Sequence, residues 1–177
     1  MSLIETVPPE KATGTVADVY HDIGQALGRV PNGMQLLSAS PTLLVQNWQQ
    51  MGYYLRHPVL SPALLATIRL LVSQANYCDY CIDMNTAMLV NRFGVTSEQV
   101  AAMRKNPEAA PFSERERALL NLVLKTVVKR QPATRAEIDA LIALGWSQSD
   151  VLDAVAHGAR NVSADVMLNA FAVESDF

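Results

Sequence analysis

The chain has little cysteine, no glycine-rich phosphate loop and no strong field of either charge, and each shortage removes a class of explanation. Two cysteines in 177 residues exclude a disulfide-stapled scaffold. Lys and Arg number 14 against 17 Asp and Glu, a net charge of −3, and the sequence pI is near 5.6. With no run of basic residues, neither nucleic acid nor a membrane surface is an expected partner. Arg69, Gln74 and Lys125 interrupt the longest apolar stretches, well short of the roughly 20 residues that cross a bilayer. Met1 to Pro9 carries Glu5 and two prolines and lacks the basic and apolar regions of a secretory leader, which makes the cytoplasm the expected location. No Gly-x-Ser-x-Gly elbow and no His-Glu-x-x-His occurs, so serine-hydrolase and zinc-protease readings have no local support. Strand-type alternation is nearly absent.

What is present is helical punctuation on a chain that is 50% hydrophobic, enough to bury a substantial core. Ser40-Pro41 and Ser61-Pro62 each place a capping hydroxyl before a proline suited to the first helical position. Capping-box spacings pair Thr96 with Gln99, Ser113 with Glu116 and Thr134 with Glu137, and Gly94 and Gly145 stand where helices stop. The pattern predicts helices near 13–28, 42–56, 62–76, 78–93, 97–105, 114–130, 135–144 and from 148 onward.

Leu89–Val100 parallels Ala140–Val151 at a shift of 51 residues, and Ser61–Ala66 overlies Ser113–Ala118 at nearly the same shift. The expected organisation is one domain over 1–177: an extended arm at 1–12, a first half at 13–105, a Pro-containing connector at 106–112 and a second half at 113–177. Chance likeness between amphipathic helices is the plainer account of the echo.

The two cysteines stand together as Cys78-Asp79-Tyr80-Cys81. Such a pair serves either as half of a zinc site or as a dithiol/disulfide centre. In the first turn of a helix, Cys78 and Cys81 share one face at the i, i+3 spacing. The unpaired amides and the positive helix end there favour a thiolate, whereas Asp79 and Asp83 oppose one. The zinc reading lacks ligands, because His21, His57 and His157 are scattered along the chain. No metal and no cofactor are therefore expected. The dithiol reading requires the sulfur of Cys81 to be exposed and acidic enough to exchange electrons with Cys78. His157 is a candidate replacement base from the C-terminal half; the plainer reading makes it a surface or satisfied core histidine. Tyr53, Tyr54, Tyr77 and Tyr80, with Met51, Met84 and Met88, read as core or subunit-seam packing.

Leu60-Ser61-Pro62 followed by the run Val72–Asn85 resembles the core of the alkylhydroperoxidase D-like, carboxymuconolactone decarboxylase superfamily. Gly28–Asn32, Ser40-Pro41 and Gly145-Trp146-Ser147 extend the likeness over most of the chain. The resemblance implies an all-α helical bundle with two pseudo-repeated halves that assembles as a homo-oligomer. It implies a cysteine-based peroxidase or disulfide oxidoreductase taking a peroxide or disulfide, with electrons from a thiol donor. The family pattern is Glu, eleven residues, C-x-x-C, three residues and His. It assigns attack on peroxide to Cys81 and resolution to Cys78, while Glu and His relay protons. Here the Glu position holds Ala66 and the His position holds Asn85, and an amide is no base near neutral pH. The catalytic candidates are thus Cys81 and Cys78, with Asn85 and His157 auxiliary, and slow peroxide chemistry is the expectation. The alternatives are a non-catalytic, redox-responsive or ligand-binding oligomeric module, and lactone decarboxylation, for which no matching base is present.

Overall fold

Serine, threonine and proline set most of the helix starts. In the computed structural model, which describes residues 2–177, every regular element is a helix and no strand occurs among the described residues. The α-helices are α1 (Gly14–Leu27), α2 (Asn32–Leu36), α3 (Pro41–Leu55), α4 (Pro62–Ala75), α5 (Asp79–Phe93), α6 (Ser97–Lys105), α7 (Glu114–Val123), α8 (Arg135–Ala143) and α9 (Gln148–Ala170). Met1, the first residue of the expected arm, lies outside the described residues.

All three capping boxes form: the hydroxyls of Thr96, Ser113 and Thr134 accept from the backbone of Gln99, Glu116 and Glu137, whose side chains reach back. Ser61 Oγ accepts from Leu64 N at 3.2 Å. Ser40 differs from expectation: Pro41 does open α3, but the Ser40 hydroxyl makes no cap bond. Gly94 and Gly145 sit at φ +69° and +88°, a conformation in which a Cβ would crowd the backbone, and there α5 ends and α8 gives way to the next turn.

The helix expected over 114–130 changes pitch partway, since α7 ends at Val123 and Leu124–Val128 form a π-helical turn. Thr126 Oγ1 donates back to the carbonyls of Leu122 (2.9 Å) and Val123 (3.2 Å), competing with the regular ladder in the β-branched run Thr126-Val127-Val128.

The chain forms two compact units. One comprises the described residues up to Arg56 together with Met167–Asp176. Its core is Val16, Val19, Tyr20 and Ile23 of α1 with Met34, Leu37 and Leu44. Tyr20 Oη donates to Val7 O at 2.9 Å and Val7 N donates to Ser38 Oγ at 2.7 Å, so the N-terminal segment is pinned by polar bonds.

The second unit comprises His57–Val166 and Phe177. Nine consecutive-region residues of α4, Leu64 to Ser73 apart from Arg69, are buried, the pattern of a helix enclosed on nearly all sides. Gly158 of α9 permits a close helix approach: a Cβ there would lie 2.8 Å from Val123 Cγ1, 3.3 Å from Val127 Cγ2 and 3.4 Å from Ile68 Cγ2. Gly158→Ala is therefore expected to destabilise the protein by about 1–3 kcal/mol through overpacking. Denaturant melting measures this; an unchanged midpoint would show that α9 shifts outward freely.

Candidate active site

Three polar stripes, each at helical spacing, meet in the second unit. From α4 and its end come Arg69, Ser73 and Asn76; from the start of α5, Cys78, Cys81 and Asn85; from α9, His157, Asn161 and Asp165. Tyr77, at φ +55° and 85% exposed, turns the chain between α4 and α5. Cys78 N then donates to Ser73 O at 3.1 Å.

Cys78 is the N-cap of α5 rather than part of its first turn, with φ −95° and ψ 90°. Its Sγ accepts from Cys81 N at 3.4 Å, the position a capping hydroxyl ordinarily fills. Both cysteines are reduced and buried, at 0% and 1% exposure. The expectation that Cys81 be exposed and acidic is thus corrected. Hydrogen bonding to Cys78, burial and the nearby Asp165 carboxylate all push the Cys81 thiol well above the ordinary range. Cys78 moves the other way, lowered first by the hydrogen bond from Cys81 and opposed by burial. The hydrogen bonding thus favours a thiolate at Cys78 over one at Cys81, opposite to the attacking role the resemblance gives Cys81. Tyr77 and Asp79, on either side of Cys78, are exposed. Tyr80, between the cysteines, packs edge-on against Phe177 at 5.6 Å between ring centroids.

Behind Cys81 runs a second chain of contacts. Asn85 Nδ2 donates to Cys81 O at 2.8 Å and Asn85 Oδ1 accepts from Arg69 Nε at 2.7 Å. Arg69 Nη1 lies 3.2 Å from His157 Nε2, which is also 3.3 Å from Leu65 O. Burial, then Arg69, lowers His157 to about 3, so its imidazole is neutral at physiological pH. Arg69 is brought down to about 10 by burial, against the pull of Cys81, and keeps its charge at neutral pH. Asn85 and His157 are therefore joined to the cysteine pair through Arg69 and the Cys81 carbonyl. Ala66, at the position where the resemblance implies Glu, is fully buried in α4.

Asp165 is the residue that sequence reasoning missed. It is fully buried, and an oxygen of its carboxylate and both sulfurs all lie within 4.8 Å of one another. Its Oδ1 accepts from Ser73 Oγ (2.8 Å) and its Oδ2 from Asn76 Nδ2 (2.8 Å). Asn161 Nδ2 reaches both oxygens at 3.2 and 3.1 Å. Burial raises its pKa against those donors. Two thiols and a carboxylate are chemically suited to zinc, but a closed tetrahedral site needs a fourth ligand, and both oxygens of Asp165 are already held by hydroxyl and amide donors. The donor set fits hydrogen bonding better than coordination. The available signal was the spacing of His157, Asn161 and Asp165 at every fourth residue, which places three polar groups on one face of α9.

Residues 43–125 match the carboxymuconolactone decarboxylase family. Over 94 residues the chain is 31% identical to an alkyl hydroperoxide reductase of Mycobacterium tuberculosis (strain ATCC 25618 / H37Rv), covering 49% of this chain and 25% of that protein. The chain thus spans a quarter of that relative's length. Among solved structures, it is similar to an uncharacterized peroxidase-related protein with an alkylhydroperoxidase AhpD core from Ralstonia eutropha JMP134. That likeness has a TM-score of 0.82 at 24% identity over 99% of this chain and 92% of the other. It is also similar to the debrominase Bmp8, with a TM-score of 0.78 at 19% identity over 97% and 90% of the two chains. At these identities the likeness is one of fold, and a fold shared by those two proteins does not select the chemistry.

Proposed function

From the match of residues 43–125 to the carboxymuconolactone decarboxylase family, we propose that the chain is an alkylhydroperoxidase D-like protein whose Cys78–Cys81 pair makes it a dithiol oxidoreductase that reduces a hydroperoxide. The observation that carries this reading is the capping geometry, in which the Cys78 sulfur accepts the Cys81 amide and is thereby favoured as the thiolate of the pair. The Cys78 thiolate attacks the outer peroxide oxygen; an S–O bond forms, the O–O bond breaks, and the alkoxide leaves as the alcohol. The Cys81 sulfur then displaces the hydroxyl of the Cys78 sulfenic acid, giving the disulfide and water. The two electrons come from the cysteines, and a partner dithiol returns them by thiol–disulfide exchange; a small disulfide is reduced by the same exchange. Access requires local opening of the first turn of α5.

The reading includes a homo-oligomer in the cytoplasm. Leu152 and Val166, 69% and 60% exposed, lie near one another around the axis of α9, which suits self-association, and no helix among the described residues is long and apolar enough to cross a membrane.

The test is thiol counting after a hydroperoxide such as cumene hydroperoxide is added to the reduced protein. The expected result is loss of both thiols, formation of one intramolecular disulfide, and recovery with dithiothreitol. Persistence of both thiols under excess oxidant overturns the reading. The burial of both sulfurs favours one second reading, a redox-responsive module. It would oxidise once without sustained turnover when dithiothreitol is supplied.

A further inference from the structure

Reduction of a hydroperoxide leaves a strongly basic alkoxide that must be protonated, and closure of the disulfide must remove a proton from the Cys81 thiol. The two positions at which the resemblance implies a relay hold Ala66 and Asn85. We propose that Asp165 supplies this relay from α9, giving a proton to the leaving alkoxide and then accepting one from Cys81. This inference rests on the dithiol reading.

Placement supports it first. An Asp165 oxygen and the two reacting sulfurs fall within 4.8 Å of one another. Ser73, Asn76 and Asn161 hold its two oxygens from three directions, fixing the carboxyl group as a positioned acid or base must be fixed. Charge supports it next. A thiolate at Cys78 and an ionised Asp165 would put two negative charges in one buried cluster, which is costly. Keeping a proton on Asp165 leaves one. Of the other charged or titratable groups, Arg69 of α4 bears on Cys81 and is bonded to Asn85 and His157; His157 of α9 is neutral.

The protons and electrons balance. Cys78 thiolate, hydroperoxide and the Asp165 acid give sulfenic acid, alcohol and the Asp165 carboxylate. That carboxylate takes the Cys81 proton; the Cys81 thiolate attacks the Cys78 sulfur, and the departing hydroxide takes the same proton back from Asp165 to leave as water. The cluster begins and ends with one negative charge.

The test compares Asp165→Asn with wild type using three reagents that share Cys78 as nucleophile and differ in leaving group. tert-Butyl hydroperoxide releases a strong base, peracetic acid releases acetate, and iodoacetamide releases iodide. The expected result is a loss of about 10²- to 10⁴-fold with the hydroperoxide, and little change with peracetic acid or iodoacetamide. Equal losses with all three would make Asp165 a tether for α9 and overturn the inference, leaving the dithiol reading intact. A wild-type protein that alkylates but resists both oxidants sinks the parent reading, and this one with it. If Asp165→Asn does not fold, wild type alone decides. As pH rises and Asp165 loses its proton, the ratio of hydroperoxide rate to alkylation rate is expected to fall; a flat ratio overturns the proposal.

Discussion

Cys78→Ser is expected to abolish hydroperoxide-driven oxidation, whereas Cys81→Ser is expected to react once and stop at a sulfenic acid on Cys78. The loss in Cys78→Ser should be on the order of 10³-fold or more, since a hydroxyl does not replace a thiolate as nucleophile. The asymmetry follows from position along α5. Cys78 is the N-cap, so its sulfur meets the free amide of Cys81 at 3.4 Å and the positive end of the helix. Cys81, two residues inside α5, gains no such amide, and its thiol is pushed up by Cys78, burial and Asp165 together. The thiolate is the nucleophile, so attack is assigned to the sulfur whose ionisation the geometry favours. Alkylation of Cys78 should therefore be fully developed at a lower pH than for a free thiol, because a lowered pKa puts the thiolate in place earlier as pH rises. Trapping with a sulfenic-acid reagent and locating the adduct by mass spectrometry checks the assignment. An adduct on Cys81 in Cys78→Ser, formed at the wild-type rate, would return the attack to Cys81 as the resemblance implies.

Features of the fold governed by neighbours in sequence were legible beforehand. Capping boxes at Thr96, Ser113 and Thr134 specify helix starts within four residues, and glycines at 94 and 145 specify stops, so these boundaries match. Where a local competition decides, the pattern was less clear. The Thr126 hydroxyl bonds back to the preceding turn and shifts the pitch, and the five-residue α2 is too short to show periodicity. The location of the thiol pair was legible from two residues and their spacing. Its burial and polarity were not, because they depend on α9 arriving beside α5. Asp165 lies more than 80 residues from either cysteine, and only the packed helices bring its carboxylate to the sulfurs. The vacancy at Ala66 and Asn85 was visible in the sequence, while the carboxylate beside the sulfurs belongs to tertiary structure.

Arg69→Met is expected to weaken both the fold and the thiolate, and the two effects are separable. The guanidinium donates to Asn85 Oδ1 at 2.7 Å and meets His157 at 3.2 Å, and Asn85 in turn holds the Cys81 carbonyl. Removing it leaves the buried Asn85 oxygen without this donor, a cost of about 1–3 kcal/mol. The melting temperature should fall by roughly 2–4 °C for each kcal/mol. Arg69 is also the cation that bears on Cys81 from α4. Without it a negative charge at Cys81 is less favoured, so the alkylation midpoint of that thiol should move to higher pH by about one unit. Arg69→Lys divides these consequences. It keeps a positive charge while losing the planar fork that spans Asn85 and His157, so stability should fall while the midpoint stays closer to wild type. If Met and Lys destabilise alike and neither moves the midpoint, Arg69 serves only to brace α4 against α5 and α9.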